Sequence, residues 1–155
     1  MRDARRLLVV TGSRSRDGAY LAAIEKAVEA DPRLVHYRVL FGPPHRDVLH
    51  RHLLALLEVR DPADRSAGVQ TLHIGVVEDS LLYPERHFVA SEQQAVVSVP
   101  SLSNARAFDS GVVVGQDEAP RLVEHAVQLY AASRPVETRA AVEELGVLRE
   151  SGGYR

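Results

Sequence analysis

The sequence predicts an α/β fold in which one mixed β-sheet carries helices on both faces. Two β-rich runs, Leu7 to Val10 and Leu34 to Phe41, are each followed by a helical pattern, and strands separated by helices favour parallel pairing. Three further apolar runs follow with no long helix between them, which favours a mixed sheet. With 155 residues, 45% of them hydrophobic, the chain is long enough to bury one core.

The first half of the chain alternates between strand and helix. The first strand breaks at Thr11-Gly12-Ser13, and apolar residues then recur at helical spacing from Gly18 to Ala30, where Asp31-Pro32 ends the helix. The second strand is closed by Gly42-Pro43-Pro44. A second helix, ended by Asp61-Pro62, carries three leucines at helical spacing: Leu49, Leu53 and Leu56.

The second half begins with three short strands: Thr71 to Val77, Ala95 to Val99 and Gly111 to Val114. A helix follows, with Pro120 in its first turn and Ser133-Arg134-Pro135 as its end. Its apolar stripe consists of Leu122, Ala126 and Leu129. A last helix runs from about Val136 to Leu145 and ends at Gly146. The resulting order is β-α-β-α-β-β-β-α-α, and we expect a single domain over residues 1–150 with a flexible tail over residues 151–155.

Composition excludes several classes of function. The charges, 19 Lys plus Arg against 21 Asp plus Glu, sum to −2, so we expect no nucleic-acid binding by this chain itself and interpret the opening MRDARR as solvated surface. The absence of cysteine excludes disulfides, thiolate metal sites and cysteine nucleophiles. No signal peptide and no apolar run long enough to span a bilayer is present. We therefore predict a cytoplasmic protein with no membrane partner and no cofactor.

The segment from His87 to Asn104, HFVASEQQAVVSVPSLSN, carries the candidate site. Its spacing resembles the H-x-K-x4-D-x6-G-S-x-N motif of the phospholipase D-like superfamily. The motif positions fall, in order, on His87, Val89, Gln94, Ser101, Leu102 and Asn104. His87 and Asn104 match the motif, whereas valine replaces the lysine, glutamine the aspartate, serine the glycine and leucine the serine.

The order of elements from Leu7 to Pro135 is similar to that superfamily as well. The resemblance implies a phospholipase D-like fold and, because single-motif members pair across the active site, a homodimer. The substitutions imply a catalytically degenerate domain with a ligand-binding, regulatory or dimerisation role, so we favour a protein that is not an enzyme. A small anionic or phosphate-containing ligand would contact the polar residues of the motif and its surroundings: His87, Ser101, Ser103, Asn104 and Arg106.

Two other functions remain open from the sequence. In the first, the chain is a phosphodiesterase or phosphotransferase whose nucleophile is His87 and whose missing lysine is replaced by arginine. Arg106 is the better candidate for that role, because Arg86 adjoins His87 and adjacent strand residues point to opposite faces. In the second, the chain is a plain structural or dimerisation module.

Each candidate residue also has an interpretation without function. His87 can be a strand-edge histidine with one hydrogen bond, and the serines and the asparagine can be turn residues that satisfy their own backbone. Thr11-Gly12-Ser13, between a strand and a helix, is either a phosphate-binding turn or an ordinary connection. His50 and His52 lie roughly 200° apart on a helix, so we interpret them as solvated surface and predict no metal site.

Overall fold

The computed structural model describes residues 6–12, 21–24, 26, 34–41, 47–60, 72–78, 85–104 and 108–151. Seven strands form one sheet: β1 Leu7–Thr11, β2 Val35–Phe41, β3 Leu72–Val77, β4 Phe88–Ser91, β5 Ala95–Pro100, β6 Phe108–Val114 and β7 Arg134–Pro135. Three helices have full bounds: α1 Asp47–Arg60, α2 Ala119–Ala132 and α3 Arg139–Ser151. Residues 21–24 and 26 are also helical.

The sheet has the order β6-β5-β4-β1-β2-β3-β7. The strands β1, β2 and β3 are parallel, and β4 lies antiparallel to β1 on its other side. The strands β5 and β6 continue the antiparallel half, and β7 pairs antiparallel with β3. The α/β class with a mixed sheet is therefore confirmed.

Alternate residues of β1 enter cores on opposite faces of the sheet. On one face, Leu8 and Val10 belong to a core that also holds buried residues of α1 and α3. On the other face, Val9 packs with α2 through Ala119 and Ala126. The period-2 alternation of side chains along a strand explains this division, and the prediction of helices on both faces is confirmed.

Several predicted boundaries need correction. The strand β4 was not predicted, because its four residues lie between polar segments, and β7 has only two residues, one of them proline. The last helix does not end at Gly146 but continues to Ser151. Residues 152–155 of the predicted tail lie outside the described residues. In the part of the chain that is described, no helix is long and apolar enough to cross a membrane.

Candidate functional site

The end of β1, the start of β4, the end of β5 and the start of β6 all lie along one side of the sheet, where these strands begin or end. Because β4 is antiparallel to β1, the end of β1 lies beside the residue that precedes β4, which is His87. The hairpin from β4 to β5 then returns the chain, so that the end of β5 and the start of β6 reach the same edge. We name this region the His87 edge: Thr11, Gly12, Glu85, His87, Ser101, Asn104 and Phe108.

Thr11 fixes the backbone on both sides of His87. Its Oγ1 donates a hydrogen bond to the Arg86 carbonyl at 3.1 Å and accepts one from the Phe88 N–H at 3.2 Å. On the other side, the Ser98 N–H donates to the His87 carbonyl at 2.8 Å. The main chain of His87 is thus held between β1 and β5, and the direction of its side chain follows from that placement.

The ring of His87 is enclosed, with 9% of the side chain exposed. The Phe108 ring packs edge-on against it at 5.5 Å between centroids. The Glu85 carboxylate oxygen Oε1 lies 3.6 Å from the Nε2 atom. An anionic group therefore neighbours a ring nitrogen of the residue that the enzyme hypothesis makes the nucleophile.

Gly12 makes this enclosure possible. Its φ of 98° lies in the left-handed region that side-chain-bearing residues avoid, and a Cβ there would overlap Nδ1 of His87 and the Arg86 carbonyl. The carbonyl of Gly12 accepts a hydrogen bond from Arg38 Nη1 at 2.7 Å. Arg38 is 1% exposed, so a buried cation and the His87 ring contact the same glycine.

Ser101 organises its own turn. Its Oγ accepts hydrogen bonds from the backbone N–H groups of Ser103 and Asn104, each at 3.2 Å, and lies 3.1 Å from the Ser103 Oγ. This is the local hydrogen bonding that the turn interpretation predicts. Ser101 is buried, whereas Ser103 and Asn104 are exposed at the same edge as His87. Arg106, the predicted replacement for the motif lysine, lies outside the described residues.

The other motif positions do not complete a catalytic site. Val89 lies between Val10 and Val96 in the sheet and packs against the core with α1. Gln94 belongs to the turn after β4, at the opposite end of the hairpin, where its N–H donates to the Ser91 Oγ at 3.4 Å. Neither position provides a charged group beside His87.

Among the residues that the structure describes, two histidines outside the motif are buried. His36, on β2, is 2% exposed, and its burial lowers the pKa of His36 from 6.5 to about 4. His52 is 4% exposed, so the interpretation of the α1 histidines as solvated surface is wrong for this residue. His52 lies on the face of α1 that also carries the buried Leu49, Leu53 and Leu56, so this face is directed towards the sheet. Within the described ranges, no three histidine or carboxylate side chains are grouped to hold a metal ion.

A second polar cluster surrounds Glu137, just after β7. Its Oε1 accepts hydrogen bonds from the Ile74 N–H at 3.2 Å and from the Tyr130 hydroxyl, and lies 3.3 Å from His73 Nδ1. Arg60 at the end of α1 donates through Nη1 to the Glu137 carbonyl at 2.6 Å and through Nη2 to its carboxylate at 3.3 Å. Burial and the hydrogen bond to Glu137 raise the pKa of Tyr130 above its usual range.

The sequence did not identify Gly12, Arg38 or Glu85 as parts of the site. The turn after β1 was a candidate on its own, and the nearest available signal was its glycine directly after an apolar strand. An arginine between valine and tyrosine in β2 is unusual for a buried strand and is the second such signal.

The fold and the site define a protein with a mixed α/β sheet in which an enclosed histidine, His87, lies where the end of the parallel strand β1 meets the antiparallel β4–β5 hairpin. No protein-family description and no curated protein matches the sequence. Among solved structures, the chain is similar to TrmBL2, an archaeal chromatin protein whose structure shows a novel mode of DNA binding. The match has 14% identity and a TM-score of 0.54, and covers 87% of this chain and 46% of TrmBL2.

This match corrects one expectation. We expected nucleic acid to be absent from the partners of this chain, and the similarity to a DNA-binding chromatin protein contradicts that expectation. The argument from a net charge of −2 was weak because a sum over the whole chain hides local clusters. The first 16 residues contain five arginines and one aspartate.

Proposed function

We propose that this chain is a non-catalytic regulatory domain of the phospholipase D-like type, which acts in DNA binding and takes a phosphate-containing ligand at the His87 edge. The observation that carries the proposal is the position of Val89, where the motif has its lysine. Val89 is half-buried and packs against the core instead of presenting a charge beside His87.

Attack on a phosphodiester requires a group that stabilises the charge developing on the phosphate oxygens. Removing one such group typically costs a factor of about 10²–10³ in rate. Here the lysine position is apolar, and a carboxylate, that of Glu85, lies 3.6 Å from the His87 ring nitrogen Nε2. Both features oppose phosphoryl transfer, and neither prevents reversible binding.

The polar groups for binding lie in the turn after β5, which the β4–β5 hairpin brings back to the His87 edge. Ser103 and Asn104 are exposed beside the edge at which the His87 ring lies. Glu85 is 37% exposed, so its carboxylate has room to turn towards solvent when an anion enters. The ligand would therefore compete with Glu85 for the Nε2 side of the ring.

The DNA part of the proposal is supported by two facts. The chain shares its fold with 46% of a DNA-binding chromatin protein. Its first 16 residues have a net charge of +4, from five arginines and one aspartate, which is suited to contact with the DNA backbone.

Phosphate titration with Glu85→Gln tests the ligand site. Calorimetry with inorganic phosphate should show tighter binding by Glu85→Gln than by the wild type, about fivefold or more, because a repelling charge close to the anion is removed. The matched control is Glu124→Gln, on the exposed side of α2, which should bind phosphate like the wild type. Equal affinities for all three proteins contradict a phosphate site at the His87 edge.

The enzyme alternative has its own readout. With bis(4-nitrophenyl) phosphate as substrate, we expect no release of nitrophenol above the background rate. Turnover that is lost in His87→Ala would replace our proposal with the phosphodiesterase function.

DNA binding is tested by the fluorescence anisotropy of a labelled duplex at about 50 mM and about 200 mM salt, a range in which phosphate contacts weaken strongly. We expect binding whose dependence on salt decreases when Arg5 and Arg6 are both replaced by alanine, by about one unit of logarithmic slope for each lost contact. The control is Arg139→Ala, an exposed arginine on α3. Absence of binding at protein concentrations of about 10⁻⁴ M, the weak end of non-specific affinity, contradicts a direct DNA contact.

A further inference from the structure

The strand β6 forms one edge of the sheet and exposes apolar side chains on both faces. Val112 is 61% exposed and Val113 is 70% exposed, and they point to opposite sides of the sheet. The neighbouring strand β5 adds Val96 and Val99, which are also exposed. Helices cover the central strands on both faces, whereas these four valines remain open to solvent.

The backbone of β6 is also open on its outer side, and the hydrogen-bond register shows where. The Ser91 N–H donates to the Gln94 carbonyl and the Ser98 N–H donates to the His87 carbonyl, so even-numbered residues of β5 bond to β4. The odd-numbered residues of β5 then bond to β6, where their partners are Ser110, Val112 and Val114. The N–H and C=O groups of Gly111 and Val113 therefore point away from the sheet.

The edge lacks the features with which proteins block such strands. Between Phe108 and Val114 there is no lysine and no proline, and the one charge, Asp109, lies near the start beside a register shift. Gly111 lies in the middle, and glycine within a strand often marks a place where another backbone approaches closely. The stretch is suited to pairing with a further strand.

We propose that the occupant of this edge is β6 of a second copy of the chain, paired antiparallel about a twofold axis at Val112. A partner strand must carry apolar side chains on both faces, and β6 meets that requirement itself through Val112 and Val113. In this register, Val112 lies opposite Val112 of the other copy and Val113 lies opposite Gly111, so no carboxylate faces an exposed valine and the two Asp109 carboxylates do not face each other. The proposal is independent of the ligand and of DNA binding.

The interface is small, so its strength is limited. Interfaces below about 1,200 Å² in total are typical of weak complexes. We therefore expect a dimer whose population depends on concentration. The strand β6 begins at Phe108, whose ring packs on the His87 ring. The strand proposed to pair with a second copy therefore begins at the His87 edge.

Sedimentation velocity over a range of concentrations tests the dimer, with substitutions at one residue. Val113→Pro removes an outward N–H without removing a hydrogen bond to β5. By symmetry it removes two hydrogen bonds from the dimer, so the dissociation constant should rise about tenfold or more. The matched control is Val113→Thr, which keeps the N–H and the β-branched shape and should shift the constant much less.

A cross-linking test works even if the proline variant fails to fold, since the chain contains no cysteine. Opposed Cα atoms in a non-hydrogen-bonded antiparallel pair lie about 4.5 Å apart, within the range for a disulfide. Val112→Cys should form a disulfide-linked dimer quickly under mild oxidation, because residue 112 lies opposite its own copy and is exposed in the monomer. The control is Leu102→Cys, which is fully exposed in the turn after β5.

Three results would overturn the proposal. They are a wild-type monomer at every concentration, a folded Val113→Pro variant with the wild-type dissociation constant, and cross-linking of Val112→Cys no faster than that of Leu102→Cys. Loss of phosphate or DNA binding alone would leave the β6 dimer intact, so the two proposals fail separately.

Discussion

The buried His36 should make the stability of the protein depend on pH. In the unfolded chain its pKa is 6.5, and in the folded protein burial lowers the pKa to about 4. Below pH 6.5 the unfolded state binds a proton that the folded state does not, so stability falls as the pH decreases from 6.5 to 4. Above pH 6.5 the contribution of this residue is constant.

The size of the effect follows from the two values. Each pKa unit corresponds to about 1.4 kcal/mol, so the full difference corresponds to about 3 kcal/mol at pH 4 and below. Between pH 7 and pH 5 the expected loss is about 2 kcal/mol. Such a loss is large beside the typical total of about 5–15 kcal/mol for a domain.

Urea unfolding at about pH 7 and about pH 5, followed by circular dichroism, measures the effect. In His36→Leu the group that titrates is gone, so the loss of stability between the two pH values should be about 2 kcal/mol smaller than in the wild type. The control is Leu72→Ala, which removes the residue opposite His36 on β3. It should lower stability at both pH values and keep the wild-type pH dependence. Equal losses in the wild type and in His36→Leu would refute the reasoning.

Three further predictions concern the contacts of the two polar clusters. Gly12→Ala should destabilise the protein by about 1–3 kcal/mol, because it strains a positive φ and overlaps the His87 ring. Thr11→Val should cost about 1–2 kcal/mol by removing the acceptor of the Phe88 N–H and one donor, as measured by urea unfolding. Glu137→Gln should cost about 2 kcal/mol, since charge-assisted hydrogen bonds become neutral ones, with thermal unfolding as the readout.

Two of these predictions have a matched control variant, and each has a result that would contradict it. Gly115→Ala places a Cβ in open space and should leave stability within about 0.5 kcal/mol, so an equal effect at Gly12 would contradict the steric argument. Glu143→Gln replaces an exposed carboxylate on α3 and should be close to neutral. If Glu137→Gln is also neutral, its carboxylate does not hold the cluster together. A Thr11→Val variant as stable as the wild type would show that water replaces the lost hydrogen bonds.

The apolar pattern predicted most of the sheet, including the parallel pairing of its helix-separated strands, but not the order of the strands across the sheet. Runs such as Leu34 to Phe41 are long enough for their composition to identify them, whereas the two-residue β7 offers no pattern to detect. The position of His87 at the end of a strand was visible in the motif spacing. The contacts of Gly12 with its ring were not, because they join residues 75 positions apart through the β1–β4 pairing. Such long-range geometry depends on the order of the strands, which local propensity does not encode.

The local turn at Ser101 was easier to anticipate, since its hydrogen bonds span two or three residues. The cluster around Glu137 was not, because it combines β3, α1, α2 and the segment after β7. Its members are separated by up to 77 positions in the sequence.

The two ends of the sheet differ in a way that limits how the molecule can assemble. At the β3 end, a two-residue strand containing Pro135 is followed at once by Glu137, whose side chain bonds to the neighbouring backbone and helices. A further strand has little backbone to join there. If β6, the outermost strand on the opposite side of the sheet, pairs with a second copy, each molecule has one edge strand that can pair, and a twofold interface occupies it completely. Growth would then stop at two subunits, and the protein would avoid open-ended fibres while keeping an exposed apolar strand.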